Sequence, residues 1–245
     1  MPPLLNYTTT YYSSRGNIFK IFKRDIYPTV DLPYENNYTL IDHYFMGLAL
    51  HQAKVSWKKG EVPIGAIIVR ECTADSIQSD TARRTFQILS AAHNRVENNN
   101  DASAHAELLA LRNGAQNLGN WRYPSNSRLY STLEPCPMCL ASIQAFRIDH
   151  IIYGAPDNRL GAIKTHMNLI NAAQHPYHEV KSVTGGVREE ECGNIMVQFF
   201  RERRQKKKEM KGGRNLLKLP LKSGPVDSKK QSRFKRFVKK LFRRE

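Results

Sequence analysis

The sequence predicts an α/β fold of three layers, a mixed central sheet of about five strands covered by helices on both faces. Three observations carry that prediction. Segments with helical apolar spacing alternate with short apolar runs, in the order helix, two strands, helix, strand, helix, strand. The longest apolar run, "IGAIIV" at 64–69, has strand length, far below the ~20 residues of a membrane span. The chain has 245 residues, enough for one domain with a sizeable core and extensions at both ends.

The elements follow in chain order. From Tyr38 to Lys59 the apolar positions Leu40, Ile41, Tyr44, Phe45, Leu48, Ala49 and Ala53 recur with helical period, and Lys58-Lys59-Gly60 closes the helix with a basic last turn and a glycine. "VPIGAIIV" follows as a buried strand. Residues 71–85 are polar and aperiodic and read as a loop insertion between two paired strands, with "TFQILSAAHN" at 85–94 as the return strand. A polar turn at 98–101 leads into a helix over 103–118. "RLYSTL" at 128–133 alternates as a strand, 136–146 form a short helix, "HIIYGA" at 150–155 is another strand and "HEVKSV" at 178–183 a weaker one. The last folded piece is a helix from Arg188 to about Lys208. Strands separated by helices in the second half imply parallel pairing there.

Charge divides the chain unevenly. Of its 38 Lys and Arg and 22 Asp and Glu, residues 201–245 hold 19 and 4, a balance of +15 against +16 for the whole. Near-neutral body and basic tail point to a polyanionic partner, nucleic acid first and anionic lipid second. In "KKQSRFKRFVKKLFRR" (229–244), Phe234, Phe237, Val238, Leu241 and Phe242 form one apolar stripe on a cationic helix. Its readings are added RNA backbone contacts, docking of the stripe on the domain, or, less favoured, an anionic membrane surface. At the other end, residues 1–38 are rich in hydroxyls, basic, and free of acidic residues before Asp25, the composition of an organelle transit peptide or of a plain terminal extension. The domain organisation expected is therefore an extension over 1–38, a folded domain over 39–210, and linker plus basic tail over 211–245. Four cysteines are too few for a disulfide scaffold of this length and make a reducing, cytoplasmic compartment the default, with plastid or mitochondrion the alternative if 1–38 is a transit peptide.

Two short motifs carry the chemistry. "SAHAELLALRN" (103–113) places His105 and Glu107 two residues apart at the head of a helix, and "STLEPCPMCLASIQ" (131–144) places Cys136 and Cys139 three apart, on one face of another helix's first turn. Exposed amides at a helix start favour thiolate, and Pro135 and Pro137 suit a helix entry. One imidazole and two thiolates make three protein ligands for zinc, whose tetrahedral preference leaves a fourth place for water, the composition of a catalytic site. Glu107 can then take a proton from that water and return it to a substrate. Each motif alone is weak; together, separated by 27 residues between Glu107 and Pro135, they match the H-x-E…P-C-x-x-C signature of zinc nucleobase deaminases.

With these residues, the chain resembles the TadA-type tRNA-specific adenosine deaminases of the cytidine-deaminase-like superfamily. The resemblance runs from about residue 39 to 208, through "VPIGAIIV", "HNR" (93–95), "SAHAELLALRNG", "YSTLEPCPMC", "IIYGAPDNRLGA" and "GGVREEECGNIMVQFFRERR". It implies the cytidine-deaminase-like fold, one Zn2+ per subunit on His105, Cys136 and Cys139, and Glu107 as proton shuttle. It implies that Asn94 contacts the flipped purine and that the backbone near Ala106 lines the base pocket. Phe199, Phe200, Arg201, Arg203 and Arg204, on the closing helix, would hold the anticodon loop. The activity implied is hydrolytic deamination of adenosine to inosine at the tRNA wobble position, in a homodimer. Three departures from the family pattern stand out: the long 71–85 segment, Pro156 and Leu160 where a charged residue and a threonine are common, and the tail beyond 210. Rival expectations are a guanine or cytidine/deoxycytidylate deaminase acting on a free base or nucleotide, and a non-catalytic RNA-binding subunit of a heteromeric deaminase, which would lack Glu107.

Overall fold

The computed structural model describes residues 28–33, 39–72, 83–172 and 178–216. The stretch before residue 28, expected to be a transit peptide or a plain extension, and the expected apolar stripe of 229–244 lie outside the described residues. The chain divides into two compact units, residues 1–200 and 201–245. The first contains the sheet.

That sheet has six strands: β1 (Thr29–Pro33), β2 (Gly65–Cys72), β3 (Arg83–His93), β4 (Ser127–Leu133), β5 (His150–Ala155) and β6 (Ser182–Thr184), in the order β1-β3-β2-β4-β5-β6. The pairs β1–β3, β3–β2 and β2–β4 are antiparallel, and β4–β5 and β5–β6 are parallel. Mixed pairing follows from the connections. β2 and β3 are consecutive and fold back on each other, whereas a helix returns the chain between β4 and β5.

Six strands exceed the expected five because β1 lies within the stretch 1–38 that the sequence presents as an extension. Val30 of β1 is buried while Thr29 and Asp31 face out, so five residues suffice for an edge strand. Strands β2 and β3 consume both ends of the predicted 71–85 insertion. The polar turn at 98–101 is preceded by a single helical turn, α2 (Val96–Asn99), closed by Asn100 in the left-handed region at φ 49°. Between β5 and β6 lies a single helical turn, α5 (Leu169–Ala172), and at the far end the closing helix α6 (Glu189–Leu216) runs past the expected limit near 208 and past the 210/211 boundary.

Helices cover both faces. On one, α3 (Ala106–Leu118) and α4 (Pro137–Ala145) pack Ala110, Leu111, Leu140 and Ile143 against Ile68, Leu129 and Ile151 of the sheet. On the other, α1 (Thr39–Lys58) packs Ile41, Phe45, Met46, Ala49 and Ala53 against Ile67, Val69, Tyr130 and Ile152, with Cys192 and Ile195 of α6 closing the cluster. The buried stripe of α1 is centred on Ile41, Phe45 and Ala49, which leaves Leu40 at 59% exposure despite its apolar character. Gly65 lets α1 approach β2, since a Cβ there would meet the Ala49 carbonyl. One polar network sits inside this second core. Asp42 of α1 accepts hydrogen bonds from the Arg128 guanidinium (3.0 Å) and the Tyr130 hydroxyl (2.8 Å), which offset the cost of burying the charges.

The consequence for function lies at the C-terminal ends of the parallel strands. Strand β4 ends at Leu133, and Glu134, Pro135 and Cys136 carry the chain into α4; the head of α3 reaches the same corner. In open α/β sheets this is where ligands bind.

Candidate functional site

The heads of α3 and α4 converge. His105 is the N-cap of α3 and Cys136 the N-cap of α4, both with extended backbone (φ −69°, ψ 150° and φ −75°, ψ 171°), and Pro137 occupies the first helical position, where no N–H is missed. Cys139 follows one turn on and is buried. Each motif by itself delivers side chains to a helix start; the fold brings the two starts together.

Ligand atoms of His105, Cys136 and Cys139 all lie within 4.8 Å of one another. His105 Nδ1 is 3.7 Å from Cys136 Sγ and 3.5 Å from Cys139 Sγ. A tetrahedral zinc with ordinary Zn–N and Zn–S bonds holds its nitrogen and sulfur donors about 3.6 Å apart. The donor set therefore fits zinc in both chemistry and spacing. Electrostatics divide the two thiols: the Cys136 contact and burial raise Cys139, so that without a metal the pair shares one thiolate, on Cys136. A hydrogen bond from the Cys139 thiol, joined by the His105 imidazole and opposed by burial, brings the Cys136 thiol down to about 4. The same Cys136 contact raises His105 against the pull of burial.

Glu107 stands in the first turn of α3, 3% exposed. Its Oε1 accepts a hydrogen bond from Ser131 Oγ of β4 at 3.1 Å, and its Oε2 is buried with no hydrogen-bond partner among the described residues. Burial raises its pKa, reinforced by Cys136 and opposed first by its own backbone N–H, then by His105 and Ser131. A buried carboxylate oxygen without a partner costs free energy and calls for a reason. Here Glu107 is one of the residues, with His105 and Cys136, that line a cavity of about 340 Å³.

Comparison with known proteins identifies the arrangement. Residues 40–155 match the family described as the cytidine and deoxycytidylate deaminase zinc-binding region. A tRNA-specific adenosine deaminase of Bacillus subtilis is 38% identical over 167 residues, covering 68% of this chain and 93% of that protein. One from Haemophilus influenzae is also 38% identical over 167 residues, covering 68% and 87%. The chain belongs to the tRNA-specific adenosine deaminase family. A solved structure from a study of A-to-I editing by tRNA:A34 deaminases at the wobble position superposes with a TM-score of 0.52 at 35% identity, covering 62% of this chain and 98% of that one.

In this deaminase the remaining sequence-predicted residues take separate places. Asn94, just after β3 and 3% exposed, lines the cavity. Ala106 is fully buried in the first core cluster, with its side chain turned to that core, while the cavity is lined by its neighbours His105 and Glu107. Phe199 is 3% exposed and meets Trp57 edge-on at 6.0 Å and Phe200 at 5.3 Å; of the two phenylalanines only Phe200 lines the cavity. Arg201, Arg203 and Arg204 are exposed on α6 and belong to the second unit.

Two further carboxylates frame the cavity. Glu134, just past the end of β4, accepts from the backbone N–H groups of Asp157, Ile163, Lys164 and Thr165. Burial would raise its pKa, and these bonds outweigh burial and lower it. Gly161 must stay small here, because a Cβ would strike the Glu134 carboxylate. The other carboxylate, Glu61, escaped the sequence reading. It follows Gly60 (φ 78°) in the connection between α1 and β2 and is 0% exposed, yet nothing in "KKGEVPIG" distinguishes it from a surface acid.

Proposed function

We propose that this protein hydrolyses adenosine to inosine at the wobble position of a tRNA anticodon, with one zinc per chain held by His105, Cys136 and Cys139. The observation that carries the proposal is the partnerless Oε2 of Glu107, a residue that lines one cavity with His105 and Cys136, two of three clustered zinc-compatible donors. Bound there, zinc would supply a water acidified toward neutrality.

The chain's own residues do the rest. Glu107 takes a proton at Oε2, the oxygen that Ser131 leaves free, while the Ser131 hydroxyl fixes the carboxylate through Oε1. Burial favours the protonated form, so Glu107 can pass that proton to purine N1, then take the second proton of the water and give it to the departing 6-amino group; the two water hydrogens end on N1 and in ammonia as oxygen replaces nitrogen at C6. Asn94 would meet the flipped nucleoside in the cavity it lines, and Phe200 forms part of the wall. An anticodon loop suits such a pocket because a base already outside a duplex costs least to extrude. Phe199, Phe200, Arg201, Arg203 and Arg204 would contact RNA, Phe199 through the packing of its neighbour, and the basic tail would add backbone contacts. A homodimer, resident in the cytoplasm or, if 1–38 directs it, in an organelle, completes the proposal.

The test is incubation of the purified protein with an anticodon stem-loop bearing A34, with guanine and with cytidine, followed by mass spectrometry of the products. Inosine from the stem-loop alone is expected. Deamination of guanine or cytidine with the RNA untouched would overturn the substrate assignment.

A further inference from the structure

Asn94 is held on every side. Its backbone N–H donates to the Ile64 carbonyl at 3.0 Å, and its carbonyl accepts from Ser56 Oγ at 3.1 Å. Its side chain has one protein partner among the described residues: Nδ2 donates to Glu61 Oε2 at 3.3 Å. Glu61 is a carboxylate, an acceptor with no hydrogen to offer, so the amide must turn nitrogen towards it and never oxygen. That leaves the second N–H and the carbonyl Oδ1 as the atoms of Asn94 free to meet a ligand in the cavity both residues line.

Glu61 is itself fully buried, an expensive place for a carboxylate unless its lone pairs are used. They are. Besides Asn94 it accepts from the backbone N–H of Glu97 (3.3 Å) and from both the backbone N–H (2.7 Å) and side-chain Nδ2 (2.8 Å) of Asn98. The single turn of α2 thus anchors the carboxylate on one side, and the anchored carboxylate sets Asn94 on the other.

We propose that Glu61 is a positioning residue that fixes the amide of Asn94 in one orientation for the nucleoside. This rests on the deaminase reading of the same cavity. At 3.3 Å the bond to the carboxylate is long, but with the Asn94 backbone fixed at both its N–H and its carbonyl it biases the amide to one orientation before the substrate arrives.

A double-mutant cycle on the zinc-loaded, full-length protein tests it. Glu61→Gln and Asn94→Ala should each lower kcat/KM on the A34 stem-loop by about 10- to 100-fold. Because both remove the same ordered contact, the double variant should be no more than about threefold worse than the weaker single. Asn98→Ala, which loosens the anchor without touching Asn94, should stay within about threefold of wild type. Losses that multiply in the double variant, or a Glu61→Gln variant within threefold of wild type, would overturn the proposal.

A second readout does not depend on turnover. In the 15N-labelled protein the two Asn94 side-chain N–H protons should lie away from the positions of a solvent-exposed amide and exchange slowly with solvent, and Glu61→Gln should return them toward those positions and speed their exchange. Should that variant fail to fold, the wild-type resonances decide: Asn94 protons at exposed-amide positions and in fast solvent exchange contradict the proposal. Wild-type protein that makes no inosine would instead refute the substrate assignment, leaving the amide resonances to judge Glu61.

Discussion

Three buried carboxylates surround the cavity, and they are treated in two ways. Glu61 and Glu134 each take four N–H donors, all from backbone for Glu134 and two from backbone and two from side-chain amides for Glu61, and these bonds tie down loops and turns. Glu107, equally buried, has one hydroxyl donor on one oxygen and none on the other among the described residues. A satisfied carboxylate is a brace; an unsatisfied one at the mouth of a metal-compatible triangle is held in readiness for a proton. The difference separates the framework of the cavity from the part that reacts, and substitutions can break or sharpen it.

The largest effect is expected from Cys139→Ala. Two donors remain where three were, zinc content measured by metal analysis should fall to background, and inosine formation should be undetectable. Next comes Glu107→Gln, which should retain zinc yet lose about a thousandfold in turnover, within the range for a lost acid–base group. Its melting temperature should not fall, since the substitution removes a buried charge that lacks a partner. Glu134→Gln should do the reverse. It puts a second amide among backbone donors of the 157–165 loop, costing roughly 2 kcal/mol and about 4–8 °C in Tm, with a loss of only about tenfold in turnover. A Glu134 variant as dead as the Glu107 variant, at unchanged Tm, would erase the distinction. Smallest is Ser131→Ala, which frees the Glu107 carboxylate to rotate and should cost about two- to tenfold in kcat, read by single-turnover kinetics.

The same contrast explains what could be read from the sequence. His105, Glu107, Cys136 and Cys139 sit at fixed short spacings at two helix starts, so local geometry alone announces their chemistry. The buried strands β2, β4 and β5 are likewise visible as apolar runs. Glu61 is different, because its burial comes from α2 folding back over it, a contact made 36 and 37 residues along the chain. Strand β1 was hidden because "TVDLP" buries little beyond Val30 and becomes a strand only by pairing with β3. The exposure of Leu40 was hidden for a related reason: periodicity shows that a helix has an apolar face, and the sheet decides where that face is centred. Ala106 illustrates a further limit, since neighbours on a helix start diverge, one into the core and two into the cavity.

The central claim is that one zinc is held by the imidazole at 105 and the sulfurs at 136 and 139 with a place left for substrate water. Zinc K-edge X-ray absorption on the purified protein tests it most directly. The account predicts one nitrogen and two sulfur donors, at about 2.0 and 2.3 Å, plus one oxygen that persists in the Glu107→Gln variant. An ion enclosed by four protein donors, or one bound with other than two sulfurs, would contradict it.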